Sequence, residues 1–142
     1  MEEHSKIPII DLSRGYQRRE DILTEKVIGI AMKIHSFFGP GLLESCYEGA
    51  LCYELLQEGI SFERQKEIFC VYRGVDLGIA YRADIILENR VVIELKSCER
   101  NHPVFCRQLL SYLKLANISV GLLINFNVPR LVDGIQRIVN NY

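Results

Sequence analysis

The stretch that decides the fold is residues 83–96, which read ADIILENRVVIELK. Two apolar segments, 85–87 and 91–93, are separated by residues 88–90, Glu-Asn-Arg, a composition typical of a turn. Because every position of both segments is apolar, we expect two central strands of one sheet that are covered on both faces. The stretch therefore predicts a hairpin near the middle of a sheet.

The same stretch carries charged side chains on one face of the predicted hairpin. With residues 88–90 as the loop, Asp84 falls directly opposite Glu94, and cross-strand partners have Cβ atoms ~4.5–5.5 Å apart. Two carboxylates so close repel each other unless a cation lies between them. Lys96, on the same face, is one candidate, and Mg²⁺ or Mn²⁺ is the other. A surface salt-bridge cluster that includes Arg82 is the alternative, although charges at the end of a central strand are costly and are usually kept for function.

Periodicity outside this stretch predicts the remaining elements. Apolar residues at three- and four-residue steps indicate a helix with Thr24 as its N-cap and a buried stripe that reaches Phe37. A second helix, with Cys46 on its buried side, is expected over 43–58. The other predicted elements are strands at 62–72, 77–87 and 91–97, a helix at 103–116, a strand at 120–124, and a strand or helix at 135–139. This order, ααβββαβ with a short C-terminal element, indicates an α/β domain with a mixed sheet.

Length and composition are those of one globular domain. The chain has 142 residues, 49% of them apolar and 25% charged, and we expect an N-terminal arm over 1–20 and a single domain over 21–142. With 17 basic and 18 acidic residues, no global field would recruit nucleic acid, so such a partner needs a local patch. The 5 cysteines are scattered without a CxxC pair, which favours a reducing cytoplasm. No signal peptide or apolar run of ~20 residues is present, and we expect no membrane partner.

Three motifs resemble those of one nuclease superfamily. Asp84 followed by residues 94–96, Glu-Leu-Lys, resembles the D-x(n)-E-x-K core of the PD-(D/E)xK nucleases, with alanine in place of the proline. Residues 41–47, GLLESCY, resemble the signature of the GxxExxY protein family of that superfamily. Residues 108–112, QLLSY, resemble the QxxxY helix motif of its exonuclease-like branch. The motifs occur in the expected order, and the resemblance covers about residues 22–140.

The resemblance implies a restriction-endonuclease-like core, a mixed central sheet flanked by helices, and a nuclease that cuts nucleic acid with Mg²⁺ or Mn²⁺. It assigns the metal ligands Glu44, Asp84 and Glu94, helped by the Leu95 carbonyl, the catalytic Lys96, and the auxiliary Tyr47, Gln108 and Tyr112. Lys96 would orient or activate the attacking water and offset charge that develops on the scissile phosphate. Some relatives carry an iron–sulfur cluster, but the cysteines here lack the close spacing that such clusters use, so no cluster is expected.

Several alternatives stay open at the level of the sequence. Glu44 also fits a favourable acid near a helix N-terminus, and Tyr47 and Tyr112 also fit packing residues. A non-catalytic member of the fold that binds nucleic acid or a protein is the rival to the enzyme, and the near-neutral charge favours it. The intact D…ExK residues favour the enzyme. A homodimer, in which a second subunit completes the site, is a third arrangement, and the sequence does not distinguish DNA from RNA.

Overall fold

A mixed six-stranded sheet organises the chain, in a computed structural model that describes residues 3–5 and 18–142. The elements are β1 (Glu3–Ser5), α1 (Arg19–Phe38), α2 (Glu44–Gln57), β2 (Phe62–Tyr72), β3 (Val75–Leu87), β4 (Val91–Lys96), α3 (Pro103–Ala116), β5 (Val120–Asn125), a 3-10 helix (Leu131–Gly134) and β6 (Ile135–Val139). The strand order across the sheet is β1-β6-β5-β4-β3-β2. Strands β4 and β5 are parallel, and the other neighbours are antiparallel. The predicted α/β class and mixed sheet are confirmed.

From α1 onward the order of the helices and strands follows the prediction, with the open C-terminal segment forming strand β6, whereas β1 and the 3-10 helix were not predicted. The predicted start of the first helix, with Thr24 as its N-cap, was wrong. Helix α1 begins at Arg19, and Thr24 lies inside it, where its hydroxyl donates to the Asp21 carbonyl at 3.0 Å. The predicted arm over 1–20 falls largely on residues 6–17, which lie outside the described residues, and the division of the chain at residue 20 stays a prediction.

The sheet is covered on both faces, so its central strands are buried. Helices α1 and α2 pack on one face, with Leu23 and Leu51 among the buried side chains, and α3 packs on the other face through Leu109 and Leu113. Every residue of β5 is buried, as are 91–95 of β4. This burial confirms that the apolar segments of the deciding stretch form central strands, and it supplies most of the favourable free energy of folding.

Two helix positions predicted to be buried are exposed. Phe37 is 81% exposed because the last turn of α1 extends beyond Ile34, the last buried residue of that helix. Cys46 is exposed because the buried stripe of α2 follows Tyr47 and Leu51, one position further along the helix. The first error comes from extending the apolar period past the last buried turn of α1, and the second from placing the buried stripe of α2 one residue too early.

Strands β2 and β3 form a ribbon that extends beyond the rest of the sheet. Strand β2 pairs with β3 along nearly its whole length, whereas β4 pairs only with residues 85–87 of β3. The ribbon therefore leaves the sheet next to Asp84, at the end of the central hairpin.

Within the described residues, no helix is long and apolar enough to cross a membrane.

Candidate active site

A polar cleft of about 270 Å³ lies between α3 and the ends of β3 and β4. It is lined by Glu44, Tyr81, Arg82, Asp84, Glu94, Leu95, Lys96, Phe105, Gln108, Leu109, Tyr112 and Leu123. Residues from α2, β3, β4 and α3 meet in this cleft, although they are far apart in the sequence. Of the seven side chains that the sequence predicted for the site, the cleft collects all but Tyr47.

The two central carboxylates face this cleft from neighbouring strands. The register predicted for the hairpin is observed, but the ladder ends where Ile85 pairs with Ile93, one step before Asp84. Instead of a cross-strand pair, the backbone N–H of Asp84 donates to Oε1 of Glu94 at 3.4 Å. The backbone N–H of Leu95 donates to Oδ2 of Asp84 at 2.8 Å. Each carboxylate is thus held by the backbone of the other strand, which fixes both groups at the floor of the cleft.

Of these two carboxylates, Glu94 is buried and Asp84 is half-buried. Glu94 is only 9% exposed, and burial, reinforced by the charge of Asp84, raises its pKa to about 8. Burial also raises the pKa of Asp84, and the hydrogen bond from Leu95 opposes that rise. No ion pair formed by the described residues includes Asp84 or Glu94. Two adjacent acids in this environment favour either a proton or a bound cation.

Lys96 forms no ion pair with either carboxylate, although its charge opposes the larger effect of burial on the pKa of Glu94. Its Nζ lies 4.5 Å from the centroid of the Phe105 ring, a cation–π contact that holds the ammonium group at the wall of the cleft. Lys96 is half-buried, and it belongs to the same strand as Glu94. The lysine therefore leaves room for a metal ion as the cation that the acidic pair binds.

The oxygen atoms in the cleft are of the kind that a hard divalent cation binds. The side chains that carry them are not gathered around one point. Carboxylate and carbonyl oxygens, as offered by Asp84, Glu94 and Leu95, are the ligands that Mg²⁺ and Mn²⁺ prefer. In the part of the chain that the structure describes, no group of three or more His, Cys, Asp or Glu side chains is arranged to hold a metal ion. Glu44 is exposed at the first position of α2 and lines the cleft, and its charge adds to the effect of burial in raising the pKa of both Asp84 and Glu94.

Tyr47 lies outside the cleft and holds the loop that precedes α2. Its hydroxyl donates to the Gly39 carbonyl at 2.7 Å and accepts the backbone N–H of Leu42 at 3.1 Å. Its ring is fully buried and stacks on Phe126 at a centroid distance of 4.2 Å. The tyrosine therefore sets the path of the chain into α2, and through it the position of Glu44.

Two further features explain the geometry of this loop. Gly41 has φ of +103°, a left-handed backbone conformation that a side chain would strain. The hydroxyl of Ser97, just after β4, donates to the carbonyl of Leu42 at 2.6 Å. The loop is consequently tied to the strand that carries Glu94 and Lys96.

Helix α3 supplies the opposite wall of the cleft. Gln108 and Tyr112 lie one turn apart on it, and Tyr112 stacks on Tyr81 with ring centroids 3.5 Å apart. The Tyr81 hydroxyl is buried without a hydrogen-bond partner among the described residues.

The loop before α3 is fixed by the side chain of Asn125. Its Oδ1 accepts a hydrogen bond from the backbone N–H of Cys98 at 3.2 Å, and its Nδ2 donates to the carbonyl of Cys98 at 3.0 Å.

Sequence reasoning missed a chain of polar residues that supports Asp84. Glu48 is 8% exposed and accepts hydrogen bonds from Arg64 at 2.9 Å and from Gln65 at 2.7 Å. Gln65 Nε2 also donates to Oδ1 of Asp84 at 3.3 Å. Glu48 follows Glu44 by four residues on α2, a spacing that places both on one helix face and could have flagged it. No sequence signal identifies Gln65, which reaches the site from a left-handed backbone position with φ of +49°.

A family model agrees with this architecture. The model of the PD-(D/E)XK nuclease superfamily matches residues 21–138, and the chain belongs to that superfamily. PD-(D/E)XK nucleases generally use divalent metals, and the superfamily is associated with nuclease activity on nucleic acid. No curated protein and no solved structure matches the chain. The narrower GxxExxY family stays a prediction, as do the roles of the individual site residues.

Proposed function

We propose that this protein is a metal-dependent phosphodiesterase that cleaves nucleic acid, and that it is a GxxExxY member of its superfamily. One observation carries the proposal. The buried Glu94 and the half-buried Asp84 lie side by side in an open cleft, each held by the backbone of the other strand, and neither forms an ion pair within the described residues. Burying carboxylates that form no ion pair is costly for folding, and a site for a positive ion gives that cost a function.

The ligands of the ion are Asp84, Glu94 and the Leu95 carbonyl, with Glu44 approaching from α2. Bound Mg²⁺ or Mn²⁺ would stabilise negative charge on the phosphate and lower the pKa of a water molecule. The protein contributes orientation, because the hydrogen bonds from Leu95 and Gln65 fix both oxygens of Asp84. Glu44 is the exposed member of the set, at the first position of α2.

The remaining cleft residues act on the substrate. Lys96 is positioned by the Phe105 ring to meet a phosphate or to orient the attacking water. Gln108 and Tyr112 face the acids from α3 and offer hydrogen bonds to the substrate or to the acids. The scattered cysteines, which contain no CxxC pair, support action in the reducing cytoplasm.

A second candidate function is a non-catalytic member of the fold that binds nucleic acid or a protein. The observation that favours it is charge. The chain has a net charge of −1, and Arg82, a cation of the cleft wall, is paired with Glu67 at 3.2 Å. Phosphate binding normally leaves a basic footprint, and this cleft offers only Arg82 and Lys96 unless a metal ion adds to them.

A nuclease assay with matched variants tests the proposal. Wild type, Glu94→Gln and the control Glu99→Gln are purified in parallel and incubated with single-stranded DNA, duplex DNA and RNA, in Mg²⁺, Mn²⁺ or EDTA. Glu99 is an exposed acid just after the same strand, so the control changes the same charge outside the cleft. We expect metal-dependent cleavage by wild type and by Glu99→Gln, and loss of at least about 100-fold in Glu94→Gln. Cleavage that is equal in all three proteins, or absent from wild type on every substrate, contradicts the proposal.

A further inference from the structure

Strand β3 brings to the cleft a buried polar group that the proposed mechanism does not use. Tyr81 lies three residues before Asp84, lines the cleft, and is only 8% exposed. Its hydroxyl oxygen is buried and has no hydrogen-bond partner within the part of the chain that the structure describes. Burying a hydroxyl without a partner is costly, so an unpartnered one at a candidate site indicates a partner that another state of the site supplies.

The ring of Tyr81 is held in place from two sides, so its hydroxyl has little freedom to move. The ring stacks on Tyr112 of α3 with a centroid distance of 3.5 Å and an angle of 9° between the ring planes. On the ribbon, Tyr81 pairs with the half-buried Ile68, which packs against the same apolar cluster. The partner of the hydroxyl must therefore be a group that moves to it.

Glu94 is an acceptor whose charge acts on this hydroxyl. Burial, with the charge of Glu94 as the second cause, raises the pKa of the Tyr81 phenol, so the hydroxyl keeps its proton and stays a donor. Glu94 accepts one hydrogen bond from the described residues, at Oε1 from the backbone N–H of Asp84. The two oxygens of a carboxylate offer about four lone-pair sites. Glu94 can therefore keep this bond, accept a phenol and still bind a metal ion.

Asp84 already has the arrangement that Glu94 lacks. Its Oδ2 accepts the backbone N–H of Leu95 at 2.8 Å, and its Oδ1 accepts the side chain of Gln65 at 3.3 Å. Glu94 has a backbone donor but no side-chain donor among these residues. Tyr81 is the side-chain donor that would give Glu94 the same two kinds of hydrogen bond.

We propose that Tyr81 is a positioning residue of the metal site, whose hydroxyl donates a hydrogen bond to Glu94 when that carboxylate binds a metal ion. This inference rests on the proposed function, because it requires Glu94 to be a metal ligand. Carboxylates that bind metal ions are themselves hydrogen-bonded, and these bonds orient the ligand. The substrate is a poorer partner for the hydroxyl, since the buried oxygen has no surface open to the cleft.

Matched replacements of tyrosine by phenylalanine test this role. Tyr81→Phe keeps the ring and its stack on Tyr112 and removes only the hydroxyl. We expect the affinity of the full chain for Mn²⁺, measured by calorimetric titration, to fall about 10–100-fold. The midpoint of urea unfolding in EDTA should be unchanged or higher, because the hydroxyl has no partner in the metal-free protein. Tyr72→Phe, at a position of the same ribbon that is 60% exposed, should change neither quantity.

The near-ultraviolet spectrum reports the hydroxyl directly. The chain contains 7 tyrosines and no tryptophan, so tyrosine dominates its absorption in this range. A phenol that begins to donate a hydrogen bond to a carboxylate absorbs at longer wavelength. Saturating Mg²⁺ should therefore give wild type and Tyr72→Phe a red-shifted difference spectrum that Tyr81→Phe lacks.

The outcomes separate this inference from the proposed function. A wild type that binds no Mn²⁺ overturns the proposed metal site and the role of Tyr81 with it. If wild type and Tyr81→Phe bind Mn²⁺ equally well, the metal site stands and the role of Tyr81 is wrong. A Tyr81→Phe protein that is less stable than wild type in EDTA, or that keeps the difference spectrum, also contradicts this role.

Discussion

Replacing Glu94 with glutamine should make the protein more stable at alkaline pH. Glutamine keeps the shape of the side chain and an oxygen that accepts the N–H of Asp84, which Glu94 accepts at 3.4 Å. It cannot ionise, so it removes a buried negative charge that no ion pair of the described residues neutralises. The same substitution that is expected to abolish catalysis should therefore stabilise the metal-free fold.

The size and sign of the effect follow from the pKa of Glu94. Burial, with the charge of Asp84 as the second cause, raises this pKa from 4.5 to about 8. The folded state consequently holds the proton more tightly than the unfolded state, and the stability of wild type falls as pH rises from about 4.5 to about 8. Above this pH range, the free energy of unfolding of Glu94→Gln should exceed that of wild type by roughly 3–5 kcal/mol. Below this pH range, Glu94 is protonated in both the folded and the unfolded state, so wild type and the variant should be equally stable.

Urea unfolding in EDTA, followed across this pH range, measures the difference in the free energy of unfolding. Glu99→Gln is the control, because the exposed Glu99 should leave the stability of the protein almost unchanged at every pH. A difference between wild type and Glu94→Gln that is constant with pH refutes the argument from burial. So does a variant that becomes less stable than wild type on the alkaline side.

Other substitutions test other parts of the site. Millimolar Mn²⁺ should raise the melting temperature of wild type but not that of Asp84→Asn, because a ligand that binds the folded state stabilises it by mass action. An equal rise in both proteins argues against this metal site. Lys96→Ala should cost no more than ~1 kcal/mol in stability yet lower the cleavage rate by ~10²–10³-fold, and unchanged cleavage would remove Lys96 from the mechanism. Tyr47→Phe should lower the free energy of unfolding in urea by about 1–3 kcal/mol, because it leaves two loop backbone groups without their partner. Tyr53→Phe, at an exposed position, should be neutral, and equal effects of the two substitutions would contradict the role of Tyr47 in the loop. Gln65→Ala should lower the Mn²⁺ affinity, measured by titration, about 10–100-fold by freeing one oxygen of Asp84, and unchanged affinity would contradict that role.

The sequence alone determined the main helices and strands and their order, although it gave no sign of β1 or of the 3-10 helix. The deciding stretch is apolar on both faces of two strands, and this continuous pattern predicted buried central strands that the structure contains. Pro103 marked the first turn of α3, and helix and strand periods located the other elements to within a few residues. Such patterns are read along the chain because the periods of 3.6 and 2 residues belong to each element by itself. The ends of helices were harder, as Thr24 and Phe37 show, because tertiary contacts decide where burial stops.

The tertiary structure decided how the site is held. The motifs D…ExK and QxxxY marked residues that the fold brings to one cleft, but the end of the β3–β4 ladder before Asp84 turned an expected cross-strand pair into two hydrogen bonds to backbone. Tyr47 was grouped with the site by its motif, and the fold uses it to fix a loop. Gln65 reaches Asp84 across the β2–β3 ribbon from 19 positions away. Contacts of this kind depend on strand register and on the packing of helices against the sheet, and a pattern read along one chain carries no record of them.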